Sequence, residues 1–477
     1  MSAERERALV ERLCESRPLR VLVASDFHLC EGWDPVTTTC ISTENFLADE
    51  TFGAWLTHYA PQAPETLLIL NGDTFDVLRV SKVPKTPEDF ERWSQRLAGL
   101  GREIDPADLR DAVERDERKY GLKTDDYKTI WKLMVMAAGH DRFFDALAAW
   151  VQRRGRVLFT TGNHDVEMHW QLVRDWIRSE LANRGADDAA ERVAFEDSGV
   201  ALDDVWIEHG HMYEDMTKVD GDPTLPPDHT EINLPLGSFI NRYFINRIEA
   251  LDPFIDNVKP VQSSLLRLAR QRPLKILSTY AGGWKFVRKA IAKRQMNRSV
   301  LTIGLLLAAP LFAPLLLLAI PGVREAVLGW LPIGEAGQFI ATALLGLVFA
   351  GALPFLLGVI GDLRGRRPAT DHHVRAATER ARRQHERSGR NLRYVCMGHT
   401  HVSAVKQLDA PGHPLYINTG TWIALWPRDR PDLLGRTVLS YAVFERDQDG
   451  GYDGRTLEWD THAERPRPAT ILVPAAA

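Results

Sequence analysis

The stretch LLILNGDTFD, Leu67 to Asp76, joins an apolar run to a block in which Gly72 and Asp73 are followed three residues later by Asp76. A short apolar run that ends at glycine reads as a strand buried on both faces, with the aspartates just past its carboxyl end. Working outward, Val21 to Ala24 precedes Asp26-Phe27-His28, Val157 to Thr160 precedes Gly162-Asn163-His164-Asp165, and Tyr394 to Met397 precedes Gly398-His399-Thr400-His401. A fifth block, His209-Gly210-His211, lies between the last two. A parallel or mixed sheet presents its ligands beyond the carboxyl ends of its strands, so these blocks can converge on one crevice. Carboxylate and amide oxygens mixed with neutral imidazoles suit two divalent ions such as Mn²⁺, Fe²⁺ or Zn²⁺. A shared carboxylate sets such ions roughly 3.5 to 4 Å apart, a spacing suited to water activation in hydrolysis.

In this order the blocks resemble those of the calcineurin-like metallophosphoesterases: DxH, GDxxD, GNH(D/E), a later HG, and GHTH. The resemblance covers residues 20 to 80, 155 to 211 and 392 to 422. It implies that Asp26, His28, Asp73 and His401 bind a first metal and that Asp73, Asn163, His209 and His399 bind a second, with Asp73 as the bridge. It further implies that His164 assists the leaving oxygen as proton donor or charge stabiliser and that Asp76 orients it. Elementary chemistry agrees, because two cations lower the pKa of bound water and an imidazole is suited to protonating a departing oxygen. Two readings stay open for His211: a residue behind the ligands, or a hydrogen-bonded surface histidine. Arg79 has two as well, a substrate-phosphate ligand or a surface salt bridge.

The 477 residues allow more than one domain, and the net charge of −5 gives no support for nucleic-acid binding. Cys14, Cys30, Cys40 and Cys396 show no CxxC spacing and fit a reducing compartment. The start, Met1 to Arg7, carries both signs of charge and does not read as a signal peptide.

A second signal separates the fourth and fifth blocks. Ser299 to Val323 is 25 residues without a charge and Ala336 to Gly361 is 26 more, joined by the 12 residues Arg324 to Glu335. Each stretch is long enough to cross a bilayer as a helix, which predicts a transmembrane hairpin. Lys285, Arg288, Lys289, Lys293, Arg294 and Arg298 before it and Arg364, Arg366 and Arg367 after it place both flanks in the cytoplasm. A buried hairpin in a large cap and a hairpin dipping into one leaflet are the competing readings. Gly283 to Arg298, basic with interspersed Trp284, Phe286 and Ile291, has the pattern of a helix lying on an anionic leaflet.

The expected architecture is a four-layer α/β/β/α metallophosphoesterase sandwich with a helical cap insertion containing the two-helix transmembrane hairpin. Residues 18–211 form the first part of the core, with a helical insertion at 80–152. Residues 212–391 form the cap, with membrane helices at about 299–323 and 336–361. Residues 392–464 close the core and 465–477 are a tail. The Arg-rich run Ala369 to Arg393 reads as a solvated helix whose His372 and His373 are not ligands.

The function expected from this reading is hydrolysis of a phosphoester or pyrophosphate bond by a membrane-anchored enzyme. Its expected location is the cytoplasmic membrane, multi-pass, with the catalytic domain in the cytoplasm and two divalent ions, Mn²⁺ foremost. The substrate is lipid-linked or a nucleotide, and the membrane itself is a partner. The nearest branch in style is that of the UDP-2,3-diacylglucosamine hydrolases, from which the chain departs by carrying His164 where that branch commonly has Arg. The alternatives are a non-catalytic membrane scaffold on the same fold and a nuclease of the same family; the nuclease would need a basic groove.

Overall fold

The computed structural model describes residues 2–249, 369–427 and 435–471, apart from Pro35, Val36, Thr38 and Asp220, together with residues 258, 259, 271, 272, 275 and 279. The chain divides into two units, Met1–Arg242 with Arg367–Ala477, and Tyr243–Arg366.

In the first unit, β1 (Arg20–Ala24), β2 (Thr66–Asn71), β3 (Arg156–Thr160) and β4 (Val193–Glu196) run parallel in that order. β5 (Val200–Leu202) and β6 (Val205–Ile207) form an antiparallel pair. The short β7 (Val258–Lys259) belongs to the second unit. β8 (Tyr394–Met397) and β10 (Leu415–Asn418) extend β6 in parallel, and β9 (Ala404–Gln407) closes that edge antiparallel to β10. β11 (Ala424–Pro427) pairs with β12 (Arg436–Thr437). β13 (Ser440–Arg446), β14 (Tyr452–Asp460) and β15 (Arg465–Pro468) add antiparallel to the free side of β1. The sheets are thus β15-β14-β13-β1-β2-β3-β4 and β5-β6-β8-β10-β9. The edge strand β15 occupies part of the segment expected as a tail.

Strand alternation explains how the sheets stack. Val21 and Val23 of β1, Leu67 and Ile69 of β2 and Leu158 of β3 pack with Ile207, Cys396 and Ile417 of the second sheet. The intervening residues, Leu22, Leu68, Leu70, Val157 and Phe159, face the helical layer. The far side of the second sheet, at Val395, Met397 and Tyr416, packs on Ala377 and Ala381 of the helix Ala369–Ser388. The result is a mixed α/β sandwich whose strands are apolar on both faces.

The helical layer is built from α2 (Asp49–Tyr59), α3 (Pro87–Ala98), α6 (Asp126–Gly139), α7 (Asp141–Gln152) and α8 (Gln171–Asn183), with α1 (Ala3–Glu15) at the β4–β5 edge and the short α4 (Pro106–Ala112) and α5 (Glu117–Tyr120) between α3 and α6. α3 starts at Thr86, whose side chain caps Asp89 while Asp89 reaches back, and buries Phe90, Trp93 and Leu97 on one face. In α6 and α7, Trp131, Leu133, Met136, Phe144 and Leu147 enter the core. Each such side chain contributes roughly 1.5 to 3 kcal/mol through burial.

The membrane expectations require correction. Among the described residues no helix is long and apolar enough to cross a membrane. The helix Ala369–Ser388 has 20 residues, but its sequence ATDHHVRAATERARRQHERS is too charged for a hydrocarbon core. The stretches 299–323 and 336–361, like Gly283 to Arg298, lie outside the described residues. Among the described residues nothing supports the two-helix transmembrane hairpin, the membrane anchor, the multi-pass location, or the membrane and lipid-linked partners, and the functional reading does not include them.

Candidate metal centre

All five blocks sit just past strand ends, β1, β2 and β3 in one sheet and β6 and β8 in the other. The sheets are tied together there: Asn71 Nδ2 donates to the Glu208 carbonyl (3.0 Å), His209 Nδ1 donates to the Asn71 carbonyl (2.8 Å), and the Gly398 amide donates to the His209 carbonyl (3.0 Å). Within the first sheet the Asp26 amide donates to the Gly72 carbonyl (3.1 Å) and that of His28 to the Asp73 carbonyl (2.9 Å). Gly72, at φ +77°, permits this approach, because a Cβ there would stand 2.5 Å from the His209 ring.

The backbone is strained where the donors cluster. Asp26, His28, Asp73, His399 and His401 all have φ between +50° and +70°, a region that non-glycine residues avoid. Each such residue costs on the order of 1 to 3 kcal/mol and persists only where its surroundings fix it, as at binding sites.

Three groups of donor atoms converge. Asp26, His28 and His401 bring ligand atoms within 4.8 Å of one another, as do Asp73, His209 and His399, and the set His28, Asp73 and His164 links them. Asp73 stands between the groups, with Oδ2 3.2 Å from His209 Nε2 and 3.8 Å from His28 Nε2. His28 Nε2 and His401 Nε2 lie 3.0 Å apart and can share at most one proton. Asp26 Oδ1 is 3.3 Å from His401 Nε2, and its Oδ2 accepts from the Ser25 hydroxyl and from the His399 amide (3.0 Å).

Asn163 is 4% exposed, and its Oδ1 has no hydrogen-bond partner among the described residues. The same holds for His211 Nδ1, whereas His209 Nε2 has only the ion-pair contact with Asp73 Oδ2. Buried polar atoms are ordinarily paired, so unpaired acceptors and ring nitrogens beside two carboxylates fit a divalent cation as their missing partner.

Asp76 Oδ2 gathers His28 Nδ1 (3.2 Å), His164 Nδ1 (3.0 Å) and Arg79 Nε (2.8 Å). Arg79 is therefore buried against Asp76, at 2% exposure. The His164 side chain is 14% exposed, and its amide donates to Asp73 Oδ1 (2.8 Å).

The field of the site demands positive charge. Burial opposes ionisation of Asp26, yet His209 and His401 hold it down at about 2. Asp73 is held well below the usual carboxylate range against its own burial, by His209 and His164. Burial disfavours charge on His209, but Asp73 and Asp26 push it up to about 10. His164 rises to about 9 in the same way, burial being outweighed by Asp76 and Asp73. Burial instead lowers His28 and His399. Carboxylates that protonate their neighbouring imidazoles will favour divalent ions in the same place.

Three residues at the site had no role in the sequence reading. Asp165 is fully buried; its oxygens accept from the Gly162 amide (2.7 Å) and the Thr74 amide (2.8 Å), locking the third block onto the second. Burial and the charge on Asp73 push its carboxyl up to about 7. Glu214 and His373 form a further donor group with His399. His373, read as part of a solvated helix, is wholly buried.

No protein-family model matches the chain, and neither does any curated protein. The architecture is a mixed α/β sandwich consistent with a metallophosphoesterase fold, and its convergent donors form two candidate divalent-metal sites.

Proposed function

We propose that the protein is a metal-dependent hydrolase of a phosphoester or pyrophosphate bond. The observation that carries the reading is the place of Asp73, whose one carboxylate adjoins both donor groups. In this reading Asp26, His28, Asp73 and His401 hold one ion and Asp73, Asn163, His209 and His399 the other, with Mn²⁺ as the first candidate. Two bound divalent ions supply an activated water and neutralise charge on the phosphoryl oxygens.

The chain's own groups do the rest. His164 keeps Nδ1 on Asp76, 3.0 Å away, and carries the proton for the leaving oxygen on Nε2. Asp76 orients that ring and compensates its charge. Arg79, expected as a substrate-phosphate ligand or a salt-bridge partner, is buried against Asp76 and holds that carboxylate toward the His164 ring, as a positioning residue. Within the family the branch of the UDP-2,3-diacylglucosamine hydrolases, which cleave a pyrophosphate, is the nearest in style by its insertion, without its lipid context.

The test is to load the purified protein with Mn²⁺ and assay generic phosphomonoester and phosphodiester reporters and a panel of nucleotide pyrophosphates. Turnover that disappears with chelator and returns with Mn²⁺ is expected on at least one class. No turnover on any class with two ions bound would favour the non-catalytic scaffold.

A further inference from the structure

We propose that Glu214 and His373 position His399 for the second metal site, fixing which of its ring nitrogens faces the ion. The inference rests on the reading of His399 as a metal ligand.

Glu214 immediately follows the 3₁₀ turn His211–Tyr213. Its Oε2 lies 3.4 Å from His399 Nε2, and Thr217 Oγ1 lies 3.4 Å from the same nitrogen. The Thr217 hydroxyl proton is already donated to the His211 carbonyl (2.8 Å), so its oxygen can only accept toward the ring. Both neighbours of His399 Nε2 are thus acceptors. That nitrogen must carry the proton, which leaves the Nδ1 lone pair for the metal. A carboxylate behind a ligating imidazole fixes its tautomer and raises the basicity of the ligating nitrogen.

His373 holds the carboxylate in turn. Its Nε2 is 3.2 Å from Glu214 Oε1, and its ring stacks on that of His399 with centroids 5.5 Å apart and planes 16° from parallel. Room for this ring comes from Gly210, at φ +107°, where a Cβ would stand 3.0 Å from His373 Cε1. The glycine of the His-Gly-His block is therefore required by a side chain more than 150 residues away. The helix Ala369–Ser388 that supplies His373 is fastened to the same segment by Arg380. Its Nη2 donates to the Tyr213 hydroxyl (3.0 Å) and contacts Glu208 Oε2 (3.3 Å), and its guanidinium lies over Trp206. The helix that returns the chain to β8 thereby holds both sides of the His209–Glu214 segment.

The experiment measures Mn²⁺ binding by the full chain, by equilibrium dialysis with elemental analysis and by electron paramagnetic resonance. Wild type should bind two ions, and His399→Ala one. Glu214→Gln should still bind two, with one site weakened about 10- to 100-fold and the other unchanged. At concentrations that keep wild type loaded, its coupled two-ion spectrum should give way to that of an isolated ion. His373→Gln should shift the same site by less. The double variant should bind no more weakly than Glu214→Gln alone, because His373 acts through Glu214.

Unchanged affinities in folded Glu214→Gln would overturn the proposal, and if that variant does not fold, unchanged affinities in His373→Gln would do so. A fall to one ion at saturating Mn²⁺ in Glu214→Gln would also overturn it, making Glu214 itself a ligand. So would a third ion in wild type that either variant loses. Two ions retained in His399→Ala would instead break the ligand assignment on which the proposal stands.

Discussion

Two regions of this molecule bury charged and polar side chains, and they differ in how those side chains are grouped. In the helical layer His140 sits between Glu44 Oε2 (3.1 Å) and Asp49 Oδ1 (3.0 Å), Lys128 Nζ contacts both oxygens of Glu117 at 2.9 Å, and Arg178 Nη2 reaches those of Glu6 at 2.6 and 2.8 Å. At the strand ends, Asn163 Oδ1 and His211 Nδ1 are equally buried but have no hydrogen-bond partner among the described residues, and the backbone around them is left-handed at five donors. Buried charge alone therefore does not mark a site. Unpartnered atoms alone do not either, since Asn45 Oδ1 and Glu167 Oε2 on the helical side also lack a hydrogen-bond partner among the described residues; the mark is their gathering with carboxylates and imidazoles that converge within 4.8 Å on left-handed backbone.

The largest effect should come from the residue between the two donor groups. Asp73→Asn should lose at least one of two Mn²⁺ ions and reduce turnover on the phosphoester reporters by on the order of 10³-fold or more. Glu44→Gln, equally buried in the helical layer, should keep both ions and lose about 3 kcal/mol of stability because His140 loses the more deeply buried of its two charged partners. Elemental analysis and denaturant titration of the two variants decide the matter. Full occupancy in Asp73→Asn, or a lost ion in Glu44→Gln, would erase the contrast between the regions.

His164 sharpens the contrast within the site itself. Its Nδ1 is committed to Asp76 and its amide to Asp73, so it belongs to the centre without belonging to either of the proposed metal-ligand sets. His164→Ala should retain both ions while turnover falls by about 10²- to 10⁴-fold. Substrates with better leaving groups should suffer less, since they need less help from a proton donor. Loss of an ion in this variant would move His164 into the ligand set.

A third test uses pH, on the helical side. Burial disfavours charge on His140, but Glu44 and Asp49 raise its pKa from the ordinary 6.5 to about 9. A raised folded-state pKa means that the stabilisation is fully present below pH 6.5 and is lost as pH rises through 9. The stability gap between wild type and His140→Ala, measured in chelator so that metal ligation plays no part, should shrink by on the order of 3 kcal/mol between pH 6 and pH 10. A gap that is flat across that range would mean that His140 is held neutral and that the layer does not compensate charge as described.

How much of this could be read from the chain follows the same division. β1, β2, β3 and β8 were legible because apolar runs stop at the blocks, and α6 and α7 because Leu133 and Met136, and Phe144 and Leu147, fall at i, i+3 spacing. The five blocks were legible because chemistry restricts which residues can hold a metal. The helix α1 was not. Its sequence AERERALVERLCE looks solvated, yet Glu6 is buried against Arg178, 172 positions away, and no local pattern encodes that pairing. The three-residue strands β5 and β6 are too short to show a period. His373 had one signal that went unused: with Ala377 and Ala381 it forms a buried i, i+4, i+8 row on a helix otherwise dense in arginine.

The smallest effect should come from Thr86, at the start of α3. Its hydroxyl accepts from the Asp89 amide (3.3 Å), and Asp89 Oδ2 accepts from the amides of Thr86 (3.0 Å) and Lys85 (2.9 Å), so local groups satisfy the helix terminus. Thr86→Ala removes one of these bonds at an exposed position and should lower stability by about 0.5 to 1 kcal/mol. The helix would fray at its first turn, while Phe90, Trp93 and Leu97 keep its buried face in the core. Because α3 supplies no donor to the metal centre, Mn²⁺ affinity and turnover should match wild type within error. A change in either would show that strain at the strand ends is set by the whole helical layer, and the two regions would then have to be treated as one.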